Sequence, residues 1–74
     1  MSIASLKAGD TAVVVAITAR GALRQRLLDV GILPGATVDL VRCSPGGPFW
    51  ISCQGTRLAL RRDEAGSIVV RAIA

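Results

Sequence analysis

The sequence contains no histidine and no tyrosine, and one phenylalanine and one tryptophan are its only aromatic residues. Without imidazole it lacks both the usual general base near neutral pH and the commonest nitrogen ligand for transition metals. Its acids are Asp10, Asp29, Asp39, Asp63 and Glu64, mostly in turns or beside arginines. Asp63-Glu64 is the only adjacent acidic pair, and neighbours on a helical turn point apart rather than converge. That pair suits the first turn of a short helix, where negative charge is favoured. No phosphate loop of the form G-x-x-x-x-G-K-[ST] occurs, and "SPGGP" lacks both the lysine and a following helix. A nucleophile would find no base to activate it. These absences exclude the common catalytic classes and predict a binding or adaptor module with no cofactor, metal site or small-molecule substrate.

Cysteine is scarce too. Cys43 and Cys53 flank an expected hairpin centred on Gly46-Gly47, but unequally, so they should not face one another. Two thiols also fall short of a structural zinc set, which predicts free, partly buried cysteines. The clearest apolar run, Ala12–Ile17, is far below the roughly 20 residues that span a bilayer. "MSIASLKAGD" lacks a basic start followed by a long apolar stretch, so no secretory signal is read and a cytoplasmic location is expected.

What remains is an aliphatic, basic chain. Hydrophobic residues make up 51% of its 74 residues, enough for a packed globule and too many for disorder. Its length predicts one domain over residues 1–74. The net charge of +4 comes from arginines scattered from Arg20 to Arg71, a basic surface rather than a basic tail.

"TAVVVAI" at Thr11–Ile17 predicts a strand. Gly21 is placed as the N-cap of a helix over Ala22–Val30, with Leu23, Leu27 and Val30 on its inner stripe. Gly31 should end that helix in a left-handed conformation, with Ile32 folding back onto it. Pro34-Gly35 should form a turn. "TVDLVRC" is the next strand, with Val38 and Leu40 inward. "FWISC" returns it with Phe49, Ile51 and Cys53 inward, and Gln54-Gly55 leads into "TRLAL". "RRDEAGS" reads as one helical turn and "SIVVRAI" as the closing strand. About five strands with one short helix after the first predict a mainly-β, strongly bent small barrel. Closure would also remove the exposed sheet edges.

Four stretches in a fixed order resemble the ferrous iron transport protein A (FeoA) family. They are "LKAGD" at Leu6–Asp10, "RLLDVGILPG" at Arg26–Gly35, the loop residues Pro45, Gly47 and Pro48, and "LALRRDEAGSIVV" at Leu58–Val70. The resemblance implies an SH3-like β-barrel with a helical insertion. It also implies a cytosolic accessory role beside FeoB, the membrane ferrous-iron transporter that carries a GTP-hydrolysing domain. Similar domains form the C-terminal part of some metal-dependent repressors, whose DNA-binding helices this chain lacks. Two positions depart from the family pattern: "SPGGPF" has no acid in its loop, and Thr56 stands where a larger residue is usual.

Within the motif, Arg26, Leu27, Gly31, Pro34 and Gly35 read as scaffold. Leu28 lies on the polar side of the helix next to Arg24, so either another segment covers it or the two residues contact a partner. Strand alternation turns Trp50 outward, where it either caps the barrel end or carries interface energy. The hairpin tip, Gly46 and Gly47, joins Trp50 in the candidate partner surface. The expected partner is the cytosolic region of FeoB, with self-association also open. A nucleic-acid-binding barrel is the rival reading, weakened by the lack of stacking rings. Docking on Trp50 and Leu28 is expected to survive moderate salt, unlike nucleic-acid binding. A metal-linked regulatory module, with Cys43 and Cys53 acting between chains, is the third.

Overall fold

The computed structural model describes residues 1–73 and opens with a 3-10 turn at Ile3–Ser5. There follow β1 (Thr11–Ile17), α1 (Gly21–Asp29), β2 (Thr37–Cys43) and β3 (Phe49–Cys53). The chain then forms β4 (Thr56–Leu60), α2 (Arg62–Gly66) and β5 (Ile68–Ala72). All five strands join one antiparallel sheet in the order β4-β3-β2-β1-β5. The fold is mainly β, with α1 entering after β1 as the sequence predicts.

Two bulges give the sheet its bend. In β1 the pairing with β5 slips between Val14 and Ala16, leaving Val15 half exposed. In β2 the pairing with β3 slips between Leu40 and Arg42. An extra residue on one strand bends it and increases its twist, which is what a five-stranded sheet needs to curl round a small core.

The curl stops short of hydrogen-bonded closure, because the strand order ends at β4 on one side and β5 on the other. The edges of this partly open barrel are covered by other parts of the chain. The Val70 N–H donates to the Met1 carbonyl at 2.9 Å, and Ser2 bridges Val69, so the N-terminus pairs with β5. α2 connects β4 to β5 and packs against the 3-10 turn. This arrangement buries Ile3 and Leu6, two core residues that no periodic pattern announced.

The core is aliphatic apart from Phe49 and Cys53. Val38 and Leu40 of β2, Phe49, Ile51 and Cys53 of β3, and Leu60 of β4 face it. Leu27 is fully buried on α1, whereas Leu23 and Val30 pack against the core at its margin. The helix starts one residue earlier than expected. Gly21 is its first residue, and Arg20 takes the extended N-cap conformation with no side-chain cap bond.

At the other end of α1 the chain reverses. Gly31 adopts φ +92°, its N–H reaches the Leu28 carbonyl at 3.0 Å, and the Ile32 N–H reaches the Leu27 carbonyl at 2.9 Å. This pair of bonds is a Schellman closure, which satisfies carbonyls that would otherwise be orphaned. It also drives Ile32 into the core beside Leu27. Leu33–Ala36 then forms a tight turn, with the Ala36 N–H on the Leu33 carbonyl at 2.9 Å.

A Cβ on Gly31 would lie 2.9 Å from the Gln54 Oε1, the end of a side chain that has room to move. Backbone strain therefore dominates. Gly31→Val is expected to lower unfolding stability by about 1–2 kcal/mol, and Gly31→Asn by less, because Asn tolerates the left-handed region. Urea denaturation checks this. Equal losses for both variants would contradict the backbone account.

Candidate docking surface

β2, β3 and β4 present one side to the core and the other to solvent. On β3 the alternation places Phe49, Ile51 and Cys53 inside and Trp50 outside, with Trp50 43% exposed. Part of the indole is thus open to solvent, while the rest of the residue is covered by its surroundings. The bulge in β2 decides what stands beside it. Strict alternation from Val38 and Leu40 would turn Arg42 inward, but the extra residue Val41 resets the phase. Arg42 then pairs with Trp50 across the strands, and both are exposed. Trp50, Val41, Arg42 and Arg57 together line a groove of about 300 Å³.

The β2–β3 hairpin tip is a defined turn. The Gly47 N–H donates to the Ser44 carbonyl at 2.9 Å, across Pro45 and Gly46. Gly46 has φ +74°, and a Cβ on Gly47 would sit 2.7 Å from the Ser44 Oγ. Gly46 therefore has a backbone reason to be glycine, while a side chain at Gly47 would need the Ser44 hydroxyl to shift. Gly46, Gly47 and Pro48 line a second groove of about 290 Å³ with Arg61 and Arg62. The Arg62 guanidinium lies over the Phe49 ring, 5.2 Å from its centroid, and this contact anchors that side chain.

On α1, the Arg24 Nη1 donates to the Ile17 carbonyl at 3.2 Å, so Arg24 ties the helix to the end of β1. Leu28 is half buried. Neither residue lines either groove. Trp50 shares its groove with residues other than those the sequence grouped with it. Arg26, exposed, meets the half-buried Glu64 of α2 at 3.6 Å, a surface pair of the kind that contributes about 0–1 kcal/mol. Glu64 also accepts the Arg61 N–H at 2.8 Å and so starts α2.

Cys43 and Cys53 are free, and they pair with Phe49 and Thr56 rather than with each other. Among the described residues no group of three or more histidine, cysteine, aspartate or glutamate side chains comes together. No described helix is long and apolar enough to cross a membrane.

The domain model for FeoA matches residues 1–72. The chain belongs to the FeoA family. A curated relative, the Fe(2+) transport protein A/Fe(2+) transporter FeoB fusion protein of Porphyromonas gingivalis, is 35% identical over 99% of this chain. The chain spans only 9% of that relative's length. The solution structure of the Chlorobium tepidum FeoA protein superposes with a TM-score of 0.92 at 41% identity, covering 100% of this chain and 71% of that one. Stenotrophomonas maltophilia FeoA, described as a procaryotic SH3 domain protein complexed with zinc, gives 0.87 at 33% identity, covering 96% and 89%. The fold is thus the SH3-like one of the FeoA family, and the family is an accessory domain of ferrous iron transport.

One titration is expected to show in stability. Burial first, and the negative charge of Asp39 second, push the Cys53 thiol above its ordinary 9.0. The folded chain keeps a proton that the unfolded chain releases. This group therefore leaves stability unchanged below its unfolded pKa and lowers it as pH rises past that value. Urea midpoints of the wild type minus those of Cys53→Ala, taken between about pH 8 and 10, are expected to fall as pH rises. A flat difference would mean that the thiol titrates normally.

Proposed function

We propose that this domain is a docking accessory of ferrous iron transport, binding the cytosolic part of the FeoB transporter and contributing shape rather than bond-making chemistry. The observation that carries the reading is the Porphyromonas gingivalis relative, in which a FeoA domain and FeoB share one polypeptide. Covalent joining keeps two modules at high effective concentration, which is useful when they act against each other. The absence of histidine and the scattering of the acids fit a module that does no catalysis.

In this reading the contact surface is the outer face around Trp50 and the Gly46–Gly47 tip, with Arg24 and Leu28 of α1 as a second contact. An exposed tryptophan in a groove is the type of residue that carries interface energy. Leu28 is half buried and outside the core, so truncating it affects binding more than folding. Trp50 is the chain's single tryptophan, and its emission therefore reports on that face alone.

Titrating the domain with the cytosolic region of FeoB is expected to shift Trp50 emission. Trp50→Ala should weaken binding by about 30-fold or more, and Leu28→Ala by roughly three- to tenfold. Calorimetry of the same complex with GDP and with a GTP analogue separates two modes of action. Unequal affinities mean coupling to the nucleotide state, and equal ones mean assembly alone. No binding in either state would end the proposal.

A further inference from the structure

The face around Trp50 also carries information about what it fits. β4 alternates Leu58 and Leu60 toward the core, so Arg57, Ala59 and Arg61 point outward. Trp50 pairs with Ala59 across the β3–β4 ladder and with Arg42 across the β2–β3 ladder. Arg42 and Arg57 share the Trp50 groove, and Arg61, just past the end of β4, lines the neighbouring groove at the Gly46–Gly47 tip. Arg57 lies in β4 and Arg61 one residue beyond its end, about 13 Å further on if the chain stays extended, with the small Ala59 between them. Val41 adds an aliphatic wall.

None of these three arginines is in an ion pair among the described residues, where Arg26–Glu64 is the salt bridge formed. The one acid exposed on this side of β2, Asp39, is bound to the Thr11 hydroxyl at 2.6 Å and pairs with Ser52 rather than Trp50. Arg62, by contrast, is held on Phe49. The arrangement is an apolar centre inside an unneutralised positive frame.

Resting on the reading that Trp50 meets a partner, we propose that this face binds a short, extended acidic segment of a protein. One apolar side chain of the segment would seat between Trp50 and Val41, and carboxylates on either side of it would meet Arg42, Arg57 and Arg61. Charge complementarity carries the choice: three unpaired guanidinium groups select negative charge, and arginine forms bidentate pairs with carboxylates. Nucleic acid is the disfavoured occupant, because a single ring backed by an aliphatic wall offers one stacking position, while single-strand binders use several. The arginine frame also means that docking here weakens as salt rises. Salt dependence alone therefore does not separate a protein partner from nucleic acid.

The test uses the whole chain and defined probes, read by Trp50 emission. The blocked peptide Ac-EELEE-NH2 is expected to bind, and the neutral Ac-QQLQQ-NH2 and the glycine-centred Ac-EEGEE-NH2 to bind at least about tenfold more weakly. Arg42→Gln, Arg57→Gln and Arg61→Gln should each weaken the first peptide by roughly two- to fivefold, and Arg71→Gln should leave it unchanged. Circular dichroism confirms that each variant folds. Equal binding of the glutamate and glutamine peptides would overturn the proposal, as would binding of oligo(dT) in preference to any peptide. An Arg57→Gln variant that self-associates yet keeps full peptide affinity would also overturn it, by assigning that arginine to protecting the β4 edge. Failure of FeoB to bind while the acidic peptide does would sink the transporter reading and leave this one standing.

Discussion

The 2.9 Å bond from the Ile32 N–H to the Leu27 carbonyl is the constraint on which the molecule turns. It ends α1, reverses the chain at Gly31 and sends two fully buried aliphatic side chains into the same core. A core with one aromatic ring depends on close packing of Leu, Ile and Val, because no large side chain is available to fill a gap. Without the reversal, Leu27 and Ile32 could not both be buried, and β2 would not return beside β1. The turn at Leu33–Ala36 completes the return, and the Val14 N–H then meets the Ala36 carbonyl at 2.8 Å. The firm punctuation of "RLLDVGILPG" is thus a packing requirement, and recognition is left to the surface it creates.

A second constraint lies in the bulge at Val41. It adds one residue to β2, and that residue exchanges the faces of everything after it. Cys43 packs against the core and Arg42 stands beside Trp50. A structural irregularity that bends the sheet therefore also composes the surface on its far side. This links the shape of the domain to the chemistry it offers a partner.

Much of the fold was legible in the sequence because it is written in local rules. β-branched runs marked β1 and β5, alternation oriented β3, and Gly31 and Pro34-Gly35 located the reversal. The acids Asp63-Glu64 marked the start of α2. What was not legible depends on contacts far apart in the chain. Ile3 and Leu6 show no periodicity, and their burial depends on α2 arriving over them. The Arg26–Glu64 pair joins two helices separated by three strands. No residue in "TVDLVRC" signals the bulge that pairs Arg42 with Trp50. The candidate surface was accordingly half visible: its aromatic centre and its basic character could be read, and which arginines stand beside Trp50 could not. The SH3-like barrel itself was legible, whereas the gap it leaves between β4 and β5 was not, because pairing at the ends of a sheet is set by twist and not by any single strand.

The central claim is that the outer face built on β2, β3 and β4, with Arg24 and Leu28 of α1 as a second contact, meets the transporter while the face carried by β1 and β5 does not. The most direct test is a map of backbone amide shifts in the labelled domain as the cytosolic region of FeoB is added. The account predicts that the changes gather at Gly46, Gly47, Trp50, Arg57 and Arg61, with a second group at Arg24 and Leu28. Changes confined to β1 and β5, or a spectrum that does not move, would contradict it.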